Sequence, residues 1–173
     1  MGAADVSVRP FAVDDAAAVQ ALFIKVNRLL APENLRDAFE RYITDSIDEE
    51  IGRVADYYAE KGGGFWVAEL AGRVVGMFGL EPSERDGMEL RRMYVDPDCR
   101  RRGIAGAMLR YAEDRCRDMS FSRLDLSTSE VQPEALAFYR AQGYVQIRDE
   151  VVEAASNKTI GGGIRRFHFE KAL

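Results

Sequence analysis

The chain has 173 residues, 47% of them hydrophobic and 31% charged, with a net charge of −5. That composition excludes disordered and collagen-like chains, the length fits a single domain, and the acidic balance argues against a nucleic-acid partner. No run of about 18 apolar residues exists to span a membrane, Met1–Asp14 lacks the basic start and apolar stretch of a signal peptide, and two cysteines, Cys99 and Cys116, without metal-ligand spacing fit a reducing, cytoplasmic setting.

In chain order, Val6, Val8 and Pro10 alternate as a short strand, after which Asp14 or Asp15 can cap a helix burying Val19, Leu22, Phe23, Val26 and Leu30. A second helix from near Asn34 uses Leu35, Phe39, Tyr42 and Ile43. Ser46 and Glu49 have capping-box spacing, which predicts a break and a third helix burying Ile47, Ile51, Val54 and Tyr58. Gly62-Gly63-Gly64 ends it. The period then becomes extended: Phe65–Leu70 and Arg73–Leu80 read as strands joined at Ala71-Gly72, and Asp86-Gly87 precedes a third, Met88–Val95. A helix over Gly103–Met119 places Ile104, Ala107, Met108, Tyr111, Ala112 and Cys116 on one face, with Arg110, Glu113, Asp114 and Arg117 opposite. Cys116 therefore reads as a core residue, not a nucleophile. Phe121–Ser127 is a strand, Pro133–Gln142 a helix with Pro in its first turn, and Tyr144–Val151 and Ile164–Lys171 close the chain as strands. The order predicts one α+β domain over residues 1–173, its sheet covered by helices.

The sharpest motif is Arg100-Arg101-Arg102-Gly103-Ile104-Ala105-Gly106, between a strand and an amphipathic helix. The first amides of a helix lack partners and carry the positive end of its dipole, a geometry that holds phosphate. Gly103 lets a ligand approach the backbone, and Ala105 and Gly106 leave room beside it. Three arginines repel that helix end in the folded state alone, so an anion is expected between them. No Gly-Lys-Ser/Thr follows, so this is not a Walker loop, and no Gly-x-Gly precedes Ile104, so it is not a dinucleotide fingerprint.

Arg100-x-x-Gly103-x-Ala105 resembles the Gln/Arg-x-x-Gly-x-Gly/Ala loop of the GCN5-related N-acetyltransferase (GNAT) family. Met88–Val95 is similar to that family's fourth strand, and Gln132–Tyr144 to its Asn-x-x-Ala-x-x-Leu-Tyr-x-x-x-Gly-Phe block, with Gln132 in place of Asn and Tyr144 in place of Phe. The match runs from Met88 to Tyr144. The resemblance implies the acyl-CoA N-acyltransferase fold: α+β, with a mixed, mostly antiparallel central sheet flanked by helices on both faces. It implies acetyl-CoA as donor, with pyrophosphate on the backbone of Arg101–Gly106 beside Arg100, pantetheine paired to Met93, Tyr94 and Val95, and Gln132 near the cofactor. It further implies a bulge that splays the fourth strand from the fifth, and a backbone N–H near Val95 as oxyanion donor.

Transfer to an amine needs a neutral nucleophile, and an alkyl amine with a pKa of about 10.4 costs roughly 4–5 kcal/mol to deprotonate at pH 7. Glu89, near the start of the fourth strand, is the candidate base, with Glu81, Asp125 and Glu130 as competitors. Tyr139 matches the family's proposed general acid toward the CoA sulfur. His168 reads as structural, the run Gly161–Gly163 as a flexible loop between the last two strands that can border the acceptor site, and no metal site is expected. The acceptor, a small-molecule amine or a peptide, should meet Arg28–Tyr58 and the loop Glu153–Gly163. The resemblance leaves a homodimer open, and a non-catalytic CoA-binding sensor is the rival reading.

Overall fold

A computed structural model describes residues 5–84 and 86–173; Arg85 and residues 1–4, which open the stretch expected to carry no signal peptide, lie outside the described residues. Among the described residues, seven strands form one sheet in the order β1-β2-β3-β4-β5-β7-β6. These are β1 (Ser7–Pro10), β2 (Gly64–Leu70), β3 (Arg73–Pro82), β4 (Met88–Val95), β5 (Arg123–Ser129), β6 (Val145–Val152) and β7 (Ile164–Ala172). Every neighbouring pair is antiparallel except β4 and β5, which are parallel. Among the described residues five α-helices accompany the sheet: α1 (Ala16–Leu30), α2 (Arg36–Glu49), α3 (Val54–Lys61), α4 (Ile104–Asp118) and α5 (Pro133–Ala141).

Period-2 alternation divides the core between the two faces. Phe65, Val67 and Met77 pack with Val19, Phe23 and Phe39 of α1 and α2 and with Tyr58 of α3. Trp66, Ala68 and Leu70 turn the other way, onto Met108, Leu109 and Ala112 of α4 and Tyr139 of α5. Because both faces are covered, β2 and β3 read as nearly continuous apolar runs. Each large side chain so buried contributes about 1.5–3 kcal/mol.

Local chemistry explains the boundaries. Ala71 and Gly72 both take positive φ, the turn that matches the twist of a two-residue hairpin. Gly62 caps α3 in the left-handed region. Asp15 precedes α1 but its side chain makes no cap bond to that helix; it reaches back instead, its Oδ2 accepting the Ala12 N–H at 2.8 Å while both its oxygens hold Arg9.

Three local expectations are corrected. Ser46 starts no helix: α2 runs through it to Glu49, the chain breaks at Glu50, and Ser46 is buried facing the Arg92 guanidinium at 3.4 Å. Glu113 is not on a solvated face but buried, with Lys171 Nζ at 2.9 Å and the Tyr144 hydroxyl at 3.3 Å. The fifth strand begins at Arg123 because Ser120 (φ 66°) and the Phe121 N–H, bonded to the Cys116 carbonyl, still belong to the end of α4.

Candidate active site

The site begins where the sheet opens. Strands β4 and β5 pair only at Met88↔Leu124 and Glu89↔Asp125 and then separate. On its other edge, β4 pairs Tyr94 with Met77 and Arg91 with Gly79, so Arg92 and Met93 together oppose Phe78. This is a β-bulge, which bends a strand and re-aims its groups. Arg92 has φ 55°, uncommon for a bulky residue. Between the parted strands lies a cleft of about 760 Å³, walled by Met93 and Tyr94 on one side, Leu126, Ser127 and Thr128 on the other, with Gln132 and Tyr139 beside them.

The bulge is held from below by buried charge. Arg92 bonds Glu50 Oε2 at 3.0 Å and Oε1 at 3.2 Å, and also donates to the Tyr42 hydroxyl and the Asn157 carbonyl. Arg91 reaches Glu50 at 2.8 Å and Glu81 at 3.2 Å and donates to the Tyr57 hydroxyl. Tyr58 donates to Glu50 Oε2 at 2.8 Å; its ring lies over Gly79, where a Cβ would come within 2.5 Å of it. Glu50 is fully buried. Burial alone would raise its pKa, but Arg92 and Arg91 outweigh that and hold it below the ordinary carboxylate range. Each member satisfies the others, so removing one strands a buried charge.

Glu89 faces Glu81 directly across the β3–β4 ladder. Lys158, from the loop between β6 and β7, lies between them, its Nζ 3.0 Å from Glu81 Oε1 and 3.2 Å from Glu89 Oε2. The rival carboxylates are otherwise engaged. Asp125 accepts the Ser83 hydroxyl at 2.7 Å and pairs with Arg123 at 2.8 Å, and Glu130 is exposed beside the Arg165 amide at 3.3 Å.

Tyr139 is buried on α5 against Phe138 and Tyr144, with ring centroids at 5.4 and 5.8 Å. It lines the cleft, and among the described residues no side chain bonds its hydroxyl. Burial, with Tyr94 nearby, pushes its phenol above the ordinary range. Burial likewise pushes Tyr94 up to about 12. The Gln132 side-chain oxygen accepts the Thr128 hydroxyl at 2.8 Å, which orients its amide nitrogen.

The structure thus brings Glu89, Met93, Tyr94, Gln132 and Tyr139 to one cleft, while Val95, Arg100, Arg101, Arg102, Gly103, Ile104, Ala105 and Gly106 do not line it. They continue from the end of β4 to the start of α4. Arg101 and Gly103 take φ 62° and 74°, and nothing lies within 4 Å of the Cβ position at Gly103, so a ligand can approach that backbone freely. The Ala107 N–H is the first to bond back, to the Gly103 carbonyl, which leaves the preceding amides of the helix end for an anion. Arg100 is 3.5 Å from Glu134, and Arg101 and Arg102 are exposed.

His168 contacts Glu150 at 3.0 Å and burial lowers its pKa. Burial pushes the Cys116 thiol up to about 11, where it is a poor nucleophile. Among the described residues no three His, Cys, Asp or Glu side chains are grouped to hold a metal, and no helix is long and apolar enough to cross a membrane. Two features escaped the sequence: the Glu50–Arg91–Arg92 network and Lys158. Glu50, set among the apolar positions Ile47, Ile51 and Val54, was the one available signal for the first; Lys158 had none.

The sequence matches the profile of the Acetyltransferase (GNAT) family over residues 30–144. It is 35% identical over 103 residues, 58% of this chain and 62% of the other, to the uncharacterized N-acetyltransferase YjgM of Escherichia coli (strain K12). It is 38% identical over 93 residues, 51% of this chain and 41% of the other, to N-acetyltransferase 8 of Homo sapiens. The chain thus spans about two fifths to three fifths of these relatives' lengths. In fold it is similar to PaiA N-acetyltransferase from Thermoplasma acidophilum, solved in complex with coenzyme A, with a TM-score of 0.75 and 16% identity over 98% of this chain and 99% of that one. A GNAT-family acetyltransferase of Staphylococcus aureus Mu50 gives 0.74 at 16% identity, over 98% and 99%.

Proposed function

The chain belongs to the GNAT acetyltransferase family, and from that premise we propose that it is an N-acetyltransferase, one domain over residues 1–173, moving the acetyl group of acetyl-CoA directly to a primary amine of a small molecule or peptide. The observation that carries this reading is the parting of β4 from β5 beyond Glu89, with the bulge at Arg92–Met93 on the opposite edge. Bound there, the donor supplies the activated acetyl group.

The chain's own residues supply the rest. The amides of Ile104, Ala105 and Gly106 and the Arg100–Arg102 side chains hold the anionic end. Met93, Tyr94 and Val95 align the connecting arm as an added strand, with Gln132 across the cleft. A backbone N–H near Val95 donates to the thioester oxygen. Glu89 takes the proton from the acceptor ammonium, and Tyr139, which lines the cleft and has no side-chain hydrogen-bond partner among the described residues, returns a proton to the sulfur. The raised pKa of Tyr139 makes it a modest acid. Segments of α1 and α2, through Asn27 and Tyr42, and the β6–β7 loop border the acceptor end.

No metal and no nucleic acid or membrane enters the reaction; the setting is cytoplasmic, and exposed Val145, Ile147 and Val151 on edge strand β6 favour a homodimer. The test is incubation with acetyl-CoA and a panel of primary amines (an alkylamine, a polyamine, a lysine-containing peptide), following thiol release and a 42 Da gain on the amine. Transfer supports the enzyme; tight CoA binding without transfer to any amine supports the sensor module instead.

A further inference from the structure

Two carboxylates directly opposite in an antiparallel ladder repel, and Glu81 and Glu89 hold that relation. Glu81 is buried and already has one cation, Arg91 at 3.2 Å. The second cation on the pair is a primary ammonium from a loop, Lys158, at 3.0 and 3.2 Å. The loop is fastened beside it: the Asn157 carbonyl accepts from Arg92 and its side-chain amide donates to Glu50 at 3.4 Å. Lys158 lines the same cleft as Met93, Gln132 and Tyr139. An alkyl ammonium thus rests on the candidate base, at the wall of the cleft.

From this juxtaposition, and resting on the acetyltransferase reading, we infer that Lys158 is an intramolecular acetyl acceptor: the chain modifies its own β6–β7 loop at Lys158 Nζ. One ammonium proton passes to Glu89 and on to solvent. The nitrogen lone pair forms the N–C bond with the acetyl carbon, the C–S bond breaks, and the second nitrogen proton ends on the CoA sulfur. Acetyl-CoA is the sole co-reactant. The product amide carries no charge, so the Glu81–Glu89 pair loses its pin and the loop its hold on the cleft. Partial burial lowers the pKa of Lys158, but Glu89 and Glu81 outweigh that and raise it, so the reaction is slow at neutral pH and quickens as pH rises.

The chain has four lysines, Lys25, Lys61, Lys158 and Lys171. Lys25 is paired with Asp96 and Asp98, and Lys171 with Glu113. Lys61, exposed, reports direct chemical acetylation. The protein is incubated with acetyl-CoA alone and the 42 Da gain is mapped by peptide mass spectrometry. The expected result is labelling of Lys158 at least about tenfold faster than Lys61, first order and independent of protein concentration, and slowed by about 10² or more in Glu89→Gln. Without donor, Lys158→Met should speed hydrogen exchange of the amides at 157–160. The inference is overturned if Lys158 is labelled no faster than Lys61 while an added amine is acetylated, or if exchange of that loop is unchanged in Lys158→Met. The first outcome leaves the acetyltransferase reading standing; absence of both CoA binding and any transfer removes that reading and the inference together.

Discussion

Glu81 and Glu89 oppose each other across the β3–β4 ladder, and a single ammonium, Lys158 Nζ, bridges them at 3.0 and 3.2 Å. Glu81 is further tied to Arg91 and to the Tyr57 hydroxyl at 3.3 Å, whereas Glu89 is less buried and has only Lys158 among the described side chains. The two carboxylates therefore differ in freedom. Glu81 is locked into the buried network, whereas Glu89 is held by Lys158 alone among the described side chains.

The anion loop makes the first prediction. Gly103 has φ 74° with open space at its Cβ position, so Gly103→Val puts a branched side chain where a ligand would approach, on a backbone that disfavours it. The folded variant should bind CoA at least about tenfold more weakly, a loss of ~1.4 kcal/mol or more, and wild-type affinity should fall with salt. Titration calorimetry checks both; unchanged affinity would place the pyrophosphate elsewhere.

Tyr139 can be separated from binding. Tyr139→Phe keeps the ring contacts with Phe138 and Tyr144 and removes only the hydroxyl. Because burial weakens the phenol as an acid, the transfer rate should drop toward the low end of the ~10²–10⁴ range of general acid–base catalysis, with CoA affinity unchanged. Single-turnover kinetics reads this directly, and an affinity loss matching the rate loss would make the hydroxyl a binding contact.

Stability should depend on Glu50. Glu50→Gln leaves Arg91 and Arg92 buried without their shared carboxylate and should cost about 3–5 kcal/mol in urea unfolding. The folded-state pKa of Glu50 lies below its ordinary 4.5, so the unfolded chain binds the proton first. The stabilisation is complete above about pH 4.5 and is lost as pH falls through the depressed folded value. Comparing wild type with Glu50→Gln from pH 3 to 7 should show the gap between them closing on the acid side.

Much of this was legible in the sequence where the determinants are local. Ala71-Gly72, Gly62 and Pro133 mark boundaries through turn and cap chemistry, and β4 falls where its pattern and the Asp86-Gly87 turn place it. The motif blocks led to the cleft residues Met93, Gln132 and Tyr139 in the same way. What was misread depends on distant partners. Ser46 has capping-box spacing but lies inside α2, where Arg92, 46 residues on, faces it. Glu113 sits at a polar spacing, yet Lys171 arrives from β7, 58 residues away, to pair with it in the core. Lys158 comes from an irregular loop, where no periodicity exists to read, and meets Glu89 across 69 residues.

In the proposed reaction Glu89 deprotonates the acceptor amine. The most direct test is the pH–rate profile of acetyl transfer to an amine from the panel, for wild type and Glu89→Gln. Glu89→Gln preserves shape while removing the basic oxygen. If Glu89 is the base, the rate falls by about 10²–10⁴ at neutral pH and is recovered largely as pH approaches the amine's own pKa of about 10.4. A Glu89→Gln profile with the wild-type shape and little loss of rate would contradict it.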